Sequence, residues 1–112
     1  SMSTYSQSDL VDDLAGIFPE FRARWEKDTE DDAFPCSSLH SVYQSLLPFV
    51  ATQQPTQRQW QRLADHLSAA VDAGGDRENA ADTCMLEHLH QVKLNRVLRP
   101  LLNNTARAYV RR

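Results

Sequence analysis

The segment from Thr56 to Gly75 constrains the fold of this chain more than any other part of its sequence. Its apolar residues recur in steps of three and four, which is the period of one face of an α-helix. These residues are Trp60, Leu63, Ala64, Leu67, Ala70 and Val71. Thr56 with Gln59 three positions later is a capping-box pattern, and Gly74 followed by Gly75 predicts the end of the helix.

The N-terminal part of the chain predicts a shorter helical region. Ser8 is expected to cap a helix that begins at Asp9, because a serine side chain can accept a hydrogen bond from the first turn. Pro19 interrupts this helix and is suited to begin a new one. Phe21 and Trp25 are four residues apart and would share a face of that second segment.

A second long helix is predicted to start at Ser37 or Ser38. Its apolar stripe consists of Leu39, Val42, Tyr43, Leu46, Leu47 and Val50. Pro48 lies inside this stripe and has no backbone N–H, so we expect it to kink the helix or to end it.

Two more helices are predicted after the glycine pair. Asp76 is expected to cap a helix that runs from Arg77 to about Gln91. The last helix is expected to span Leu94 to Tyr109, with an interruption at Pro100.

The whole pattern predicts an all-α fold. No stretch alternates polar and apolar residues long enough to indicate a strand, and three glycines in 112 residues are few for a turn-rich β-sandwich. We expect a compact bundle of about five helices in antiparallel hairpins, with a short HEAT-like helical stack as the alternative. The length fits one helical domain over residues 1–112, in which residues 1–2 are typical of a tag remnant.

Two features bear on the environment of the protein. No apolar run reaches the roughly 18 residues of a membrane span, and no signal-peptide pattern is present, so a cytoplasmic location and no membrane contact are expected. Cys36 and Cys84 do not make a disulfide framework, and Cys84 is expected to be a buried thiol.

Charge is unevenly distributed along the chain, although the net charge is only −3. Residues 1–56 hold nine acids and three bases, whereas residues 57–112 hold six acids and nine bases. This asymmetry indicates an electrostatically marked surface, unless the two halves neutralise each other when they pack together.

The densest acidic cluster is WEKDTEDDAFP, residues 25–35. Its five acids are Glu26, Asp28, Glu30, Asp31 and Asp32. Their alternation resembles the start of an EF-hand loop, but Ala33 and Leu39 stand where that loop needs a glycine and a bidentate acid. The interpretations left are a solvated connection between helices and a docking surface for a basic partner, with Trp25 and Phe34 as apolar anchors.

A polar stripe follows the predicted helix after the glycine pair. It consists of Asp76, Asn79, Thr83, Glu87 and His90. It is either a solvent face or a ridge that contacts a partner or ties neighbouring helices, and Asn79, Thr83 and Glu87 are its candidate binding residues. Cys84 and His88 would share one face, which is more typical of a packed histidine than of a metal site, so no metal is predicted.

No motif in the chain indicates catalysis. There is no Gly-rich phosphate loop, no G-x-S-x-G and no H-E-x-x-H, so we predict no enzyme activity and no cofactor. The C-terminal part could instead contact phosphates through its bases, which are Lys93, Arg96, Arg99, Arg107, Arg111 and Arg112. The alternatives for these bases are pairing with the acidic half of the chain and the preference of a helix C-terminus for cations.

Two short segments resemble an uncharacterised group of small all-helical bacterial proteins. They are FPEFRARW at residues 18–25 and ENAADTCMLEHL at residues 78–89, roughly a fifth of the chain. The resemblance is carried by Phe18, Pro19, Glu20, Phe21, Arg22, Trp25, Asn79, Ala80, Thr83, Leu86 and Glu87. Some members of this group look like immunity proteins of polymorphic-toxin systems, and the resemblance implies no catalytic residue.

The leading hypothesis is therefore an immunity protein that neutralises a cognate secreted bacterial toxin. A toxin that attacks nucleic acid is usually basic, and an acidic surface on its inhibitor would attract it and speed association. The alternative is a non-enzymatic helical adaptor that binds other proteins. A third hypothesis is a small nucleic-acid-binding protein that uses the basic C-terminal helix.

Overall fold

The computed structural model describes residues 4–30 and 38–111, and every regular element within these ranges is a helix. The α-helices are α1 (Gln7–Ile17), α2 (Phe21–Asp28), α3 (Leu39–Ala51), α4 (Gln57–Ala73), α5 (Gly75–Cys84), α6 (Asn95–Leu98) and α7 (Asn104–Arg107). Two 3₁₀ helices, Leu86–Val92 and Arg99–Leu101, flank α6. The predicted all-α class is confirmed, whereas the expected number of about five helices matches only roughly.

The N-terminal caps differ in part from those predicted. Ser6, and not Ser8, caps α1: its hydroxyl accepts from the Asp9 N–H at 3.0 Å, and the Asp9 carboxylate accepts from the Ser6 N–H at 2.9 Å. This reciprocal pair satisfies two N–H groups at once, which a cap at Ser8 would not. Pro19 lies in the turn before α2, which begins at Phe21.

Two other predicted caps are confirmed. The Ser38 hydroxyl accepts from the Ser41 N–H at 3.3 Å at the start of α3, while Ser37 lies outside the described residues. At the start of α4, the Thr56 hydroxyl accepts from the Gln59 N–H at 3.1 Å, and the Gln59 side chain returns the bond at 2.9 Å. Both helices are therefore fixed at their first turn by local sequence.

A single glycine joins α4 to α5. Gly74 is both the C-cap of α4 and the N-cap of α5. Its backbone angles are φ 71° and ψ −172°, a conformation that is essentially restricted to glycine. Gly75 follows with φ 57°. The predicted cap at Asp76 is wrong, because α5 already begins at Gly75 and Asp76 lies in its first turn.

Pro48 does not end α3, which continues to Ala51. The proline costs the helix one bond to the carbonyl of Gln44, since the ladder joins each N–H to the fourth residue before it. Its ring is exposed, whereas Phe49 and Val50 beside it are buried in the core. Burial of these two side chains holds the last turn in place despite the missing bond.

The last two predicted helices are both divided. The helix expected over 77–91 stops at Cys84, where Met85 leaves helical geometry with φ −124° and ψ −67°. The helix expected over 94–109 becomes α6, a 3₁₀ helix containing Pro100, and α7. Asn103 starts α7 afresh, because its side chain accepts from the Ala106 N–H at 2.9 Å.

The helices share one hydrophobic core. Its largest fully buried side chains include Phe21, Tyr43, Leu46, Leu67 and Leu89. The Phe49 ring meets Phe21 at 5.6 Å between centroids and Phe18 edge-on at 6.3 Å, so α3 packs on the start of α2 through aromatic contacts. The radius of gyration is 13.2 Å, as expected of a compact domain of this length. Across the described ranges, every helix is too short or too polar to cross a bilayer.

Candidate interaction surfaces

The C-terminal end of α2 presents the first candidate surface. Glu26 lies in the last turn and Glu30 two residues beyond the helix, and both side chains are exposed. Within the described residues neither forms an ion pair. We call these two residues the acidic α2 end; Asp31 and Asp32, predicted to extend it, lie outside the described residues. Carboxylates are disfavoured here, because the helix dipole places its negative end at this terminus.

Asp28 has a different environment from the acidic α2 end. Its carboxylate accepts hydrogen bonds from Arg24 Nε at 3.2 and 3.1 Å and from the Ser45 hydroxyl at 2.5 Å. Ser45 is a buried residue of α3, so this contact joins α2 to α3. Asp28 was predicted as a partner-binding residue, but in the structure its carboxylate already holds two helices together.

Trp25 was predicted to be an apolar anchor beside the acids. In the structure its side chain belongs to the hydrophobic core and only 9% of the residue is exposed. It borders a cavity of about 260 Å³ between α1 and α2, together with Val11 and Glu26. The ring is therefore part of the core and is not presented as an exposed anchor. The second proposed anchor, Phe34, lies outside the described residues.

The polar residues of α5 meet a histidine of α3. His40 Nδ1 lies 3.2 Å from the Thr83 hydroxyl, and His40 Nε2 lies 3.3 Å from the Asn79 amide nitrogen. The Thr83 hydroxyl also donates to the Asn79 carbonyl at 2.8 Å, one helical turn back. Asn79 and Thr83 therefore tie α5 to α3, which is one of the two roles expected for a hydrogen-bonding ridge.

The predicted continuation of this ridge to Glu87 and His90 is wrong. Because α5 stops at Cys84, these two residues lie on the following 3₁₀ helix and do not extend the face of Asn79 and Thr83. The Glu87 carboxylate is 3.6 Å from Arg111 Nη2 and so pairs with the C-terminal end of the chain. Asp76, at the other end of the stripe, is exposed in the first turn of α5.

A thiol and an imidazole also meet between α3 and α5. Cys84 Sγ lies 3.2 Å from His40 Nδ1, and Cys84 is a buried free cysteine as predicted. Burial raises the pKa of the Cys84 thiol above its usual range, so it is protonated at neutral pH. Cys84 and His88 border a cavity of about 250 Å³, but the described residues contain no group of three or more metal-binding side chains.

His40 is a site residue that the sequence pattern did not reveal. It stands 44 positions before Cys84, and no spacing rule relates residues on two different helices. Only the packing of α3 against α5 brings the imidazole to the thiol. A histidine in the first turn of an otherwise apolar helix is the sole sequence signal that could have drawn attention to it.

Basic residues cluster in the C-terminal part of the structure. Arg96, Arg99 and Arg107 border a cavity of about 640 Å³, together with Asn95 and Pro100. The expected pairing of these bases with the acidic half is not found in the described ranges. The ion pairs there are Arg22–Asp12, Arg24–Asp28 and Arg111–Glu87, each within one half of the chain. Within the described residues, therefore, no ion pair joins the two halves of the chain.

Comparisons with protein-family models, curated proteins and solved structures give no match to this chain. The resemblance carried by residues 18–25 and 78–89 therefore stays a prediction.

Proposed function

We propose that this protein is a non-enzymatic immunity protein that binds and neutralises a basic protein toxin. The acidic α2 end is proposed as its first contact with the toxin, together with Asp31 and Asp32. The observation that supports this proposal is the exposure of Glu26 and Glu30, without ionic partners within the described residues, at a helix end that disfavours carboxylates.

This arrangement costs stability in the free protein. Both carboxylates lie near the negative end of the α2 dipole, Glu26 in the last turn and Glu30 two residues beyond the helix. A positively charged partner would relieve this unfavourable interaction with the helix dipole. A charge pattern that is unfavourable alone and favourable in a complex is typical of a binding surface.

The surrounding charges extend the same field. Residues 4–30 hold seven acids and three bases, and two of those bases already pair with Asp12 and Asp28. The exposed acids outside the α2 end are Asp9, Asp12, Asp13 and Glu20. Such a field raises the association rate of a basic partner before any contact forms.

Asn79 and Thr83, which we call the α5 ridge, are proposed as a second, smaller part of the interface. Asn79 is exposed and Thr83 is half-buried, so part of this ridge can reach a partner while its hydrogen bonds to His40 keep it rigid. Glu87 lies outside this ridge, on the following 3₁₀ helix, and it ranks below Asn79 as a contact because it is half-buried and already paired with Arg111. A rigid surface loses little entropy on binding.

The test begins with a pull-down from the lysate and secreted fraction of the source organism, at low and high salt. We expect one dominant, stoichiometric, basic partner whose expression alone arrests growth and whose co-expression with this protein restores it. The partner's association rate is then measured with the variant Glu26→Gln/Glu30→Gln. Its matched control is Asp65→Asn/Asp76→Asn, which removes two exposed acids elsewhere.

At low salt we expect Glu26→Gln/Glu30→Gln, the α2 variant, to associate with the partner about tenfold more slowly than the wild type does. The association rate of the control variant should be close to that of the wild type. Equal association rates for the two variants would exclude the α2 end as the interface. Several weakly bound partners, none of them toxic, would exclude the immunity function and favour the adaptor hypothesis.

A further inference from the structure

The cavity between α6 and α7 is bordered mainly by cations. Of the five described residues that border it, three are Arg96, Arg99 and Arg107, and none is an acid. The sequence from residue 88 to the C-terminus contains no aspartate or glutamate. Three positive charges therefore border one cavity, and none of them forms an ion pair with a described residue.

Arg107 is held rigidly in this cavity. Its Nε donates to the Arg99 carbonyl at 3.2 Å, and its Nη2 donates to the Leu102 carbonyl at 2.8 Å. These two bonds fix the plane of the guanidinium, and donors on both Nη atoms have no partner among residues 4–30 and 38–111. A guanidinium that is already oriented loses little entropy when it binds a ligand.

The start of α7, which carries Arg107, is anchored to α4 through Asn103. The Asn103 side-chain amide donates to the Asp72 carboxylate at 3.0 Å, and the Asn103 backbone N–H donates to the Ser68 hydroxyl at 3.0 Å. Because Asn103 also caps α7, these contacts set the position of the helix that carries Arg107. The cationic wall is therefore part of the fold and does not depend on an exposed loop.

Arg99 and Arg96 complete the wall from the other side. Arg99 Nε is buried and has no hydrogen-bond partner in the described part of the chain. Arg96 is exposed three residues earlier, one helical turn away, and neither side chain forms an ion pair within the described residues. A buried N–H without a partner is unfavourable unless a ligand or water accepts its hydrogen bond.

We propose that this cavity binds a small phosphorylated molecule, whose phosphoryl oxygens accept hydrogen bonds from Arg96, Arg99 and Arg107. Guanidinium groups match the geometry of phosphoryl oxygens and bind them in pairs. A volume of about 640 Å³ lies in the usual range for small-molecule sites and exceeds the size of a lone phosphate. The Asn95 amide and the Pro100 ring provide polar and apolar contacts for the rest of the molecule.

This site is independent of the proposed toxin interface, because it uses the C-terminal bases and none of the N-terminal acids. The ligand class favoured by three cations is a diphosphate or triphosphate, which carries a comparable negative charge. ADP is therefore the first probe, adenosine tests the need for phosphate, and pyrophosphate tests the need for the nucleoside.

The experiment is titration calorimetry of the full chain with each probe. We expect ADP to bind with a Kd well below about 1 mM and adenosine not to bind. Pyrophosphate that binds as tightly as ADP would show that the phosphoryl groups supply the affinity, and weaker pyrophosphate binding would show that the nucleoside contributes. Either result supports the site.

The variants Arg96→Gln and Arg99→Gln identify the cavity as the location. Each is expected to weaken ADP binding about tenfold or more, since a hydrogen bond to a charged group is lost. Arg58→Gln is the matched control, because it removes an exposed arginine of α4 that does not border the cavity. Circular dichroism checks that all three variants are folded.

Three outcomes would overturn the proposal. They are the absence of binding by both ADP and pyrophosphate, equal ADP affinity in the cavity variants and the Arg58→Gln control, and binding of a single-stranded oligonucleotide without binding of ADP. The last outcome would instead identify the C-terminal bases as a nucleic-acid surface, with a steep dependence on salt.

Discussion

At the scale of single residues, the contact between Tyr43 and His66 shows how burial sets a protonation state. The Tyr43 hydroxyl lies 2.7 Å from His66 Nε2, at the contact of α3 with α4. Burial lowers the pKa of His66 from its ordinary 6.5 to about 4, so the imidazole is neutral in the folded protein at physiological pH. The unfolded chain takes up a proton near pH 6.5 instead.

This difference predicts a loss of stability in weak acid. Between pH 6.5 and about 4 the unfolded chain binds more protons than the folded one. The free energy of unfolding therefore decreases as the pH is lowered through this range, by up to about 3 kcal/mol. Denaturant unfolding at pH 7, 5 and 4 measures it. His66→Gln, whose amide can still bond Tyr43, should weaken this dependence, whereas His88→Gln should leave it unchanged. An identical pH dependence in both variants would contradict the assignment.

The backbone conformation of Lys93 indicates that its replacement by glycine would stabilise the fold. It has φ 63°, a left-handed conformation that is unfavourable for a residue with a Cβ atom. Lys93→Gly should therefore raise the free energy of unfolding by about 0.5 kcal/mol, after subtraction of the entropy that glycine loses on folding. Lys27→Gly, inside α2, is the matched control and should lower it by about 1 kcal/mol. A loss at both positions would mean that the Lys93 side chain has a stabilising role of its own.

The candidate sites show which residue properties sequence can predict. The burial of Cys84 was predictable from its apolar helical pattern, and Arg96 and Arg99 were predictable as neighbours from their spacing. Two other contacts were not predictable: the approach of His40 to Cys84 and that of Arg107 to the other arginines. Each of these contacts joins residues on separate helices. Local rules reach about one helical turn, whereas sites are assembled by packing between helices.

At the scale of helices, the same limit explains which boundaries were predicted. The start and end of α4 are determined by Thr56, Gln59 and Gly74, all of which act on their own neighbours. The division at Met85 has no such local signal, since the apolar period continues through it and the break belongs to the tertiary packing. The helix end that was one of the two outcomes expected at Pro48 does not occur for a related reason: burial of Phe49 and Val50 outweighs the missing hydrogen bond.

Pro48 therefore offers a prediction for the stability of α3. Pro48→Ala restores an N–H that can donate to the Gln44 carbonyl, and it should raise the free energy of unfolding by about 1–2 kcal/mol. Pro55→Ala is the control, because Pro55 lies between helices and no helical hydrogen bond is missing there. Thermal unfolding of both variants measures the difference. No gain at Pro48 would show that α3 has already adapted to the proline without a net loss.

At the scale of the whole molecule, the separation of charge predicts a conflict between stability and binding. Removal of the two carboxylates from the negative end of the α2 dipole in Glu26→Gln/Glu30→Gln should raise the free energy of unfolding by about 0.5 kcal/mol at low salt, and the gain should shrink as salt screens the charges. The control Asp65→Asn/Asp76→Asn should show no gain, since Asp76 lies in the first turn of α5 and favours the dipole there. Denaturant unfolding at two salt concentrations tests this. A loss of stability in the α2 variant would mean that its acids serve the fold.

The corner between α4 and α5 has a consequence for the gene. Every missense change of one nucleotide in a glycine codon introduces a residue with a Cβ atom. At Gly74 and Gly75 there is space for that atom, but φ angles of 71° and 57° make any such residue strained. Gly16 has no such φ, and a Cβ there would meet only the end of the Arg62 side chain at 3.8 Å. In a library of random mutants we therefore expect folded survivors to carry changes at codon 16 far more often than at codons 74 and 75.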